Sequence, residues 1–462
     1  MTRGRPPGNQ ASPEQAQPAR AVGRPRTIEA AHASLAQLLI LIRSGRATTR
    51  LELEHEAELG RAVIADRLAI LESLGLVEEG DLGQPGRGRA PRHLQFRSDA
   101  GALLVAALDR SSIAVGVADL TGRLLVEHHE AADLGAGPAA ILDRLTTLLL
   151  WLMEDHGGKP AIWGIGLALP GPVGTGGGEV GPQLALETLE EWARLDLVSE
   201  MALRFGAPAW VQSRTQMMTM GELRSGTGAP DMLFVNLGHA ITAGVVSAGR
   251  LHRGAQGVAG MIGHAPTGED GAVTCRCGSR GCLEAMAGGE AIARSGRAAA
   301  QDGRSRHLAD TLARNGEVTA ADVGHGAQLG DTFCAELMVR CGRLVGESLA
   351  PLVNLLNPAL VVLGGDVNAS GDILLAAIRE AIYRQSHPLV TRDLRIVRSQ
   401  MGGSSSLVGA AQVAADELFA TEMLQGWITL GTPRRLPDLL DLANAARSRS
   451  RAEAPARPPA PR

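Results

Sequence analysis

The run ALLVAALD at residues 102–109, followed by SIAVGVADL at 112–120 and RLLVEHHE at 123–130, decides how this chain is read. Each run is short and aliphatic, and Thr121-Gly122 separates the last two, so the three predict an antiparallel meander. A helix over 138–155 and a strand over 161–169 extend it to a β-β-β-α-β unit. A second set begins at MLFVNL (232–237), continues through ITAGVVSAG and RLHRG, and ends with LVVLGG (360–365) and LRIVRS (394–399) around a helix at 372–385. Two such units in succession predict a duplicated α/β body with two lobes and a cleft between them.

Composition bounds what such a body does. Of 462 residues, 45% are hydrophobic and only 2% aromatic, so Ala, Leu, Val and Ile must fill the cores. The net charge of −4 excludes a uniformly basic nucleic-acid binder, so any DNA contact must come from a local patch. The N-terminus is polar and Pro-rich, without a signal-peptide core, and no apolar run is long enough to span a bilayer. A cytoplasmic protein with no membrane partner is expected. Residues 1–30 and 433–462 are Arg/Pro/Ala-rich and expected to be disordered tails.

Ahead of the body, residues 31–98 carry helical periodicity. Leu35, Leu38, Leu39 and Ile42 share one face, and Ser44-Gly45 terminates that helix. Thr48 or Thr49 can cap a second helix holding Leu51, Leu53 and Ala57, and Leu59-Gly60 turns into a third with Val63, Ile64, Leu68 and Leu71 inward. Leu76-Val77 and HLQF (93–96) form two strands around the Arg-rich loop 86–92. This order predicts a winged helix-turn-helix, with the third helix in the major groove of double-stranded operator DNA. Arg61, Asp66 and Arg67 are then the base and phosphate contacts of that helix, and Arg87, Arg89 and Arg92 those of the wing. The acidic run Glu52, Glu54, Glu56 and Glu58 keeps open a second reading, a helical bundle that binds protein. Gly4-Arg5-Pro6 and Gly23-Arg24-Pro25-Arg26 resemble minor-groove hooks, a weak motif in an Arg/Pro-rich tail.

Cys275, Cys277 and Cys282 crowd one glycine-bearing loop. Three soft ligands this close suit tetrahedral zinc, and His264, upstream in Ile-Gly-His, is the candidate fourth ligand. With no open coordination position, the zinc is expected to be structural. Cys334 and Cys341 lie seven apart and are read as buried apolar residues of a helix.

Taken together these features resemble the ROK family (repressors, open reading frames and kinases) over about residues 34–420. The resemblance is carried by Gly263-His264 with CRCGSRGCLEAMAG (275–288), GIGLALPGPV (164–173), LVVLGGD (360–366) and SSSLVGAA (404–411). It implies an actin-like, ribonuclease-H-type ATPase architecture for the body (100–420, zinc loop 264–282), zinc on His264, Cys275, Cys277 and Cys282, and assembly into dimers or tetramers. Family kinases phosphorylate hexoses with ATP, but the positions matching their catalytic motifs have changed here. The first phosphate loop, Asp-x-Gly-Gly-Thr, becomes Ala107-Leu108-Asp109-Arg110-Ser111. The motif of the catalytic base, Glu-Asn-Asp-Ala-Asn, becomes Gln212-Ser213-Arg214-Thr215-Gln216, and a guanidinium cannot accept a proton. The second phosphate loop, Gly-Thr-Gly-x-Gly, becomes Gly238-His239-Ala240-Ile241-Thr242. Among the family's sugar ligands only His264 and Glu284 remain; Met261 replaces a glutamate.

The expectation is therefore a non-enzymatic ROK-type transcriptional regulator, a repressor, dimeric and located on the nucleoid. Either an effector site on His264 and Glu284 takes a ligand other than an ordinary hexose, or there is no effector and the body only dimerises. An active sugar kinase with an appended DNA-binding head is the alternative.

Overall fold

The computed structural model describes residues 28–80, 93–156, 160–173, 192, 195–227, 229–268, 273–366 and 371–442. Arg87, Arg89, Arg92 and both Gly-Arg-Pro motifs lie outside these residues. The chain divides into two compact units, Met1–Phe96 and Arg97–Arg462.

The N-terminal unit holds three helices, α1 (Ile28–Arg43), α2 (Arg50–Ala57) and α3 (Arg61–Ser73), then an antiparallel pair, β1 (Val77–Gly80) and β2 (His93–Phe96). The helix α1 starts at Ile28, inside the segment read as tail. Its buried face begins at Ser34, where Leu35, Leu38, Leu39 and Ile42 join Leu53, Ile64, Leu68 and Leu71 in the core of this unit. Thr49 caps α2 in a reciprocal box with Glu52, whose carboxylate also accepts from the Thr48 amide at 2.7 Å. These hydrogen bonds hold the Glu52 carboxyl below its ordinary pKa, the Thr48 amide contributing most. Leu51 is 69% exposed, because α2 is a two-turn helix whose inward positions are taken by Leu53 and Ala57.

The second unit contains two five-stranded sheets. In the first, β3 (Ala102–Asp109), β4 (Ser112–Ala118) and β5 (Leu124–Ala131) are antiparallel, while β6 (Ile162–Leu169) and β7 (Ala209–Ser213) run parallel to β3, in the order β5-β4-β3-β6-β7. In the second, β8 (Met232–Leu237), β9 (Ile241–Ser247) and β10 (Arg250–His252) are antiparallel, with β11 (Leu360–Gly364) and β12 (Arg395–Arg398) parallel to β8, in the order β10-β9-β8-β11-β12. Order and direction repeat strand for strand, which makes the body a duplication with mixed sheets.

The central strand β3 is buried on both faces, which is why it reads as an unbroken apolar run. Leu104, Ala106 and Leu108 pack toward α4 (Pro138–Asp155). The helix Ser405–Leu418 covers β3 and β6 as well, close enough that a Cβ on Gly166 would lie 2.4 Å from the Ala410 carbonyl oxygen. It also packs on the helix Arg214–Glu222, which touches strands of both sheets.

The body does not stop at 420. Trp427 is fully buried, edge-on to Trp163 and Phe419, and its indole N–H donates to the Leu418 carbonyl at 3.0 Å. Arg434, inside the expected tail, donates to the Gly206 carbonyl at 3.3 Å. A large aromatic late in an aromatic-poor chain was the available signal for this extension. Among the described residues no helix is long and apolar enough to cross a membrane.

Candidate effector cavity, metal centre and nucleic-acid face

The metal-ligand candidates sit on a knuckle folded by local backbone bonds. The Cys275 amide donates to the Ser279 carbonyl at 2.8 Å, the Gly278 amide to Cys275 at 2.9 Å, and Gly278 and Gly281 take φ of +89° and +68°. Short bridges tie the knuckle at both edges, Thr274 to Arg280 and Pro266 to Cys282. His264 ends a single 3-10 turn next to it. One donor atom from each of His264, Cys275, Cys277 and Cys282 lies within 4.8 Å of the others. Cys275 Sγ is 3.7 Å from His264 Nδ1 and Cys277 Sγ is 3.6 Å from Cys282 Sγ. With zinc–sulfur bonds of about 2.3 Å, tetrahedral sulfurs stand about 3.8 Å apart, so the donor set fits a tetrahedral ion.

The thiols compete for ionisation. The Ser279 backbone hydrogen bond lowers Cys277 to about 6, while burial and the neighbouring thiols push Cys282 to about 12. A divalent cation would let all of them ionise. Cys334 and Cys341 are buried elsewhere, in the helix Thr332–Leu356.

A cavity of about 580 Å³ lies at the C-terminal ends of β6 and β7, where chain segments from both halves of the body converge. Residues of all three altered motifs and of the sugar-ligand set reach it: Asp109 and Arg110 at the β3–β4 turn, Arg214 where β7 meets its helix, His239 and Thr242 around the β8–β9 turn, and Met261, His264 and Glu284. Among the wall residues that sequence reasoning missed, Arg276 brings a positive charge into the cavity. It lies between two cysteines, and nothing in their spacing tells where its side chain points.

The altered positions are bonded to one another. Arg214 pairs with Asp109 at 2.6 Å, so the residue in the base position is a cation held by a carboxylate in the glycine position. The Asp109 carboxylate also accepts from the Arg110 amide at 2.8 Å, taking a donor that a phosphate loop would offer. Arg110 contacts the His239 ring. Glu284 accepts from Arg276 at 2.6 Å and from the Ile241 amide at 3.3 Å. With Nδ1 of His264 turned to the thiols, Nε2 remains for the cavity.

In the N-terminal unit, α3 exposes Arg61, Ala62, Ala65, Asp66, Ala69, Glu72 and Ser73. The guanidinium of Arg61 is 82% exposed and paired with Glu54 at 3.0 Å. Arg67 differs: 11% exposed, it donates to the Ser34 hydroxyl at 3.0 Å and to Asp66 at 3.0 Å. Of the acidic run, Glu52 caps α2, Glu54 pairs with Arg61 and Glu56 with Arg46. Arg46 and Arg50 are further exposed cations of this unit that the sequence reading passed over.

Comparison with known proteins supplies context. Residues 110–417 match the profile of the ROK family. A glucokinase of Halalkalibacterium halodurans is 29% identical over 260 residues, 56% of this chain and 78% of the relative. A xylose repressor of Caldicellulosiruptor bescii is 25% identical over 389 residues, 83% of this chain and 96% of the relative. A crystal structure of a ROK family transcriptional regulator, a homologue of the E. coli MLC protein, superposes with a TM-score of 0.72 at 25% identity. It covers 87% of this chain and 100% of the regulator. The unit from Arg97 onward makes up about four-fifths of the chain, so a match over 87% reaches into the N-terminal unit.

Proposed function

The chain belongs to the ROK family, and from that premise we propose that it is a DNA-binding transcriptional repressor with a non-catalytic, sugar-kinase-like body. The observation that carries this reading is the likeness to a ROK transcriptional regulator that extends into the N-terminal unit and covers 87% of the chain, whereas glucokinases cover 56–68% of it. Three helices followed by an antiparallel pair serve as a winged helix-turn-helix, with α3 as the recognition helix and Arg61 its most available cation. Acidic residues outnumber arginines across 28–80, so Arg87, Arg89 and Arg92 supply most of the phosphate attraction. Arg67 contributes by fixing α3 against α1.

The body dimerises and places two heads on a pseudo-palindrome with half-sites about one helical turn, or a multiple of it, apart. Structural zinc on His264, Cys275, Cys277 and Cys282 shapes the loop that walls the cavity. Catalysis is absent because Arg214 cannot take a proton and Asp109 fills its own loop amide. His264 and Glu284 face the effector, and Glu284, already engaged by Arg276, offers a hexose little. The glucokinase likeness favours one other reading, a kinase with an appended head. Mobility shifts on the chain's own promoter, run beside a coupled ADP-release assay over common hexoses, separate the two. Retarded DNA without turnover supports the repressor, and hexose-dependent turnover without retardation supports the kinase.

A further inference from the structure

We infer that the cavity binds a small phosphate monoester through Arg110, Arg276 and His239, side chains that replace the backbone phosphate loops of the family's kinases. The three come from separate segments, the β3–β4 turn, the metal knuckle and the β8–β9 turn, and all line one cavity. Arg110 contacts the His239 ring, yet among the described residues no carboxylate comes within ion-pair distance of its guanidinium. Arg276 gives one nitrogen to Glu284 and keeps the rest of its fork, and its side chain is 44% exposed. The other carboxylates nearby are engaged: Asp109 by Arg214, Asp133 by the Gly135 amide, and Glu290, 3.5 Å from His239, by that ring when it is protonated.

Bringing these groups together disfavours their charged forms. Burial lowers the pKa of Arg110, and Arg276 lowers it further; burial, then Arg110 and Arg276, lower that of His239. A dianion at their centre removes that repulsion and suits two guanidinium forks. A second observation points to what carries the anion. The Thr215 and Thr242 hydroxyls, 2.6 Å from each other, line the same cavity and can hydrogen-bond a hydroxyl of the organic part. About 580 Å³ is ample for such an ester and far more than inorganic phosphate fills. A nucleotide triphosphate is disfavoured, because Asp109 presents a carboxylate where a phosphate loop presents amides.

The inference rests on the body being a non-catalytic sensor, but it is measured without DNA. The metal-loaded full chain is titrated calorimetrically with glucose 6-phosphate, glycerol 3-phosphate, 3-phosphoglycerate, inorganic phosphate, glucose and a non-hydrolysable ATP analogue. At least one monoester binds tenfold or more tighter than glucose. R110A weakens it by at least tenfold at unchanged metal content and melting temperature, and R276A does the same. Equal affinity for inorganic phosphate, still lost in R110A, identifies the free ion as the ligand of the same site. Binding of no anion at millimolar concentration, glucose or the ATP analogue binding as tightly as the esters, or R110A binding like wild type each overturn the inference. If an ester binds while the ligand-free and liganded protein both ignore promoter DNA, the repressor reading falls and the site stands.

Discussion

Replacing Arg61 and Arg67 by alanine, one at a time, separates a DNA contact from a structural strut on the same helix. Arg61 is 82% exposed and its pair with Glu54 is a surface pair, worth about 0.2–1 kcal/mol. R61A should therefore leave the N-terminal unit folded, while losing a base or phosphate contact worth about 1–3 kcal/mol, or roughly 5- to 150-fold in operator affinity. Arg67 is 11% exposed and its guanidinium bonds Ser34 of α1. R67A loses a charge-assisted hydrogen bond worth about 1.5–3 kcal/mol and the packing of its stem. All five tryptophans lie beyond residue 96, so fluorescence reports the body alone. Hydrogen exchange of peptides from α1 and α3 is the suitable stability readout, and fluorescence anisotropy with labelled operator the affinity readout. The expected pattern is protection intact and affinity lost in R61A, with protection lowered in R67A and affinity lost only as far as unfolding explains. Wild-type affinity in R61A, or lost affinity at full protection in R67A, refutes this division.

Three further outcomes are expected. Elemental analysis should find about one zinc per chain, lost in C282S and kept in C334S and C341S, and its loss should deprotect the knuckle around Cys275 in hydrogen exchange. G409A should destabilise the body by about 3 kcal/mol in urea titration, since a Cβ there would sit 1.7 Å from the Met217 carbonyl oxygen; a change under 1 kcal/mol contradicts that close helix contact. Replacing Arg87, Arg89 and Arg92 together by glutamine should reduce the slope of log affinity against log salt by up to about 3, because each phosphate contact contributes about 0.9 on duplex DNA; an unchanged slope removes the wing from the interface.

Much of the body was legible because β3, β4, β6 and β8 are buried runs flanked by turn residues, and burial on both faces leaves an unmistakable aliphatic signature. The five-residue β7 was not recognised, since Ala209–Ser213 at a sheet edge mixes a half-buried Trp210 with Gln212 and has no period long enough to read. The knuckle was legible because thiol spacing is itself the geometry. Which partners the altered motif residues had found was not: Asp109 and Arg214 are 105 residues apart, and their pairing depends on β3 and β7 ending at the same edge. Arg61 and Arg67 looked alike in sequence because both flank apolar positions of α3, and only the turn of the helix directs one outward and the other onto Ser34.

Genome-wide footprinting of the full chain on its own chromosome, wild type beside R61A, bears most directly on the proposed function. Discrete sites containing an inverted repeat with half-sites about 10 base pairs or a multiple apart, weakened in R61A, are the predicted result. A wild-type chain that occupies no site above background would contradict it.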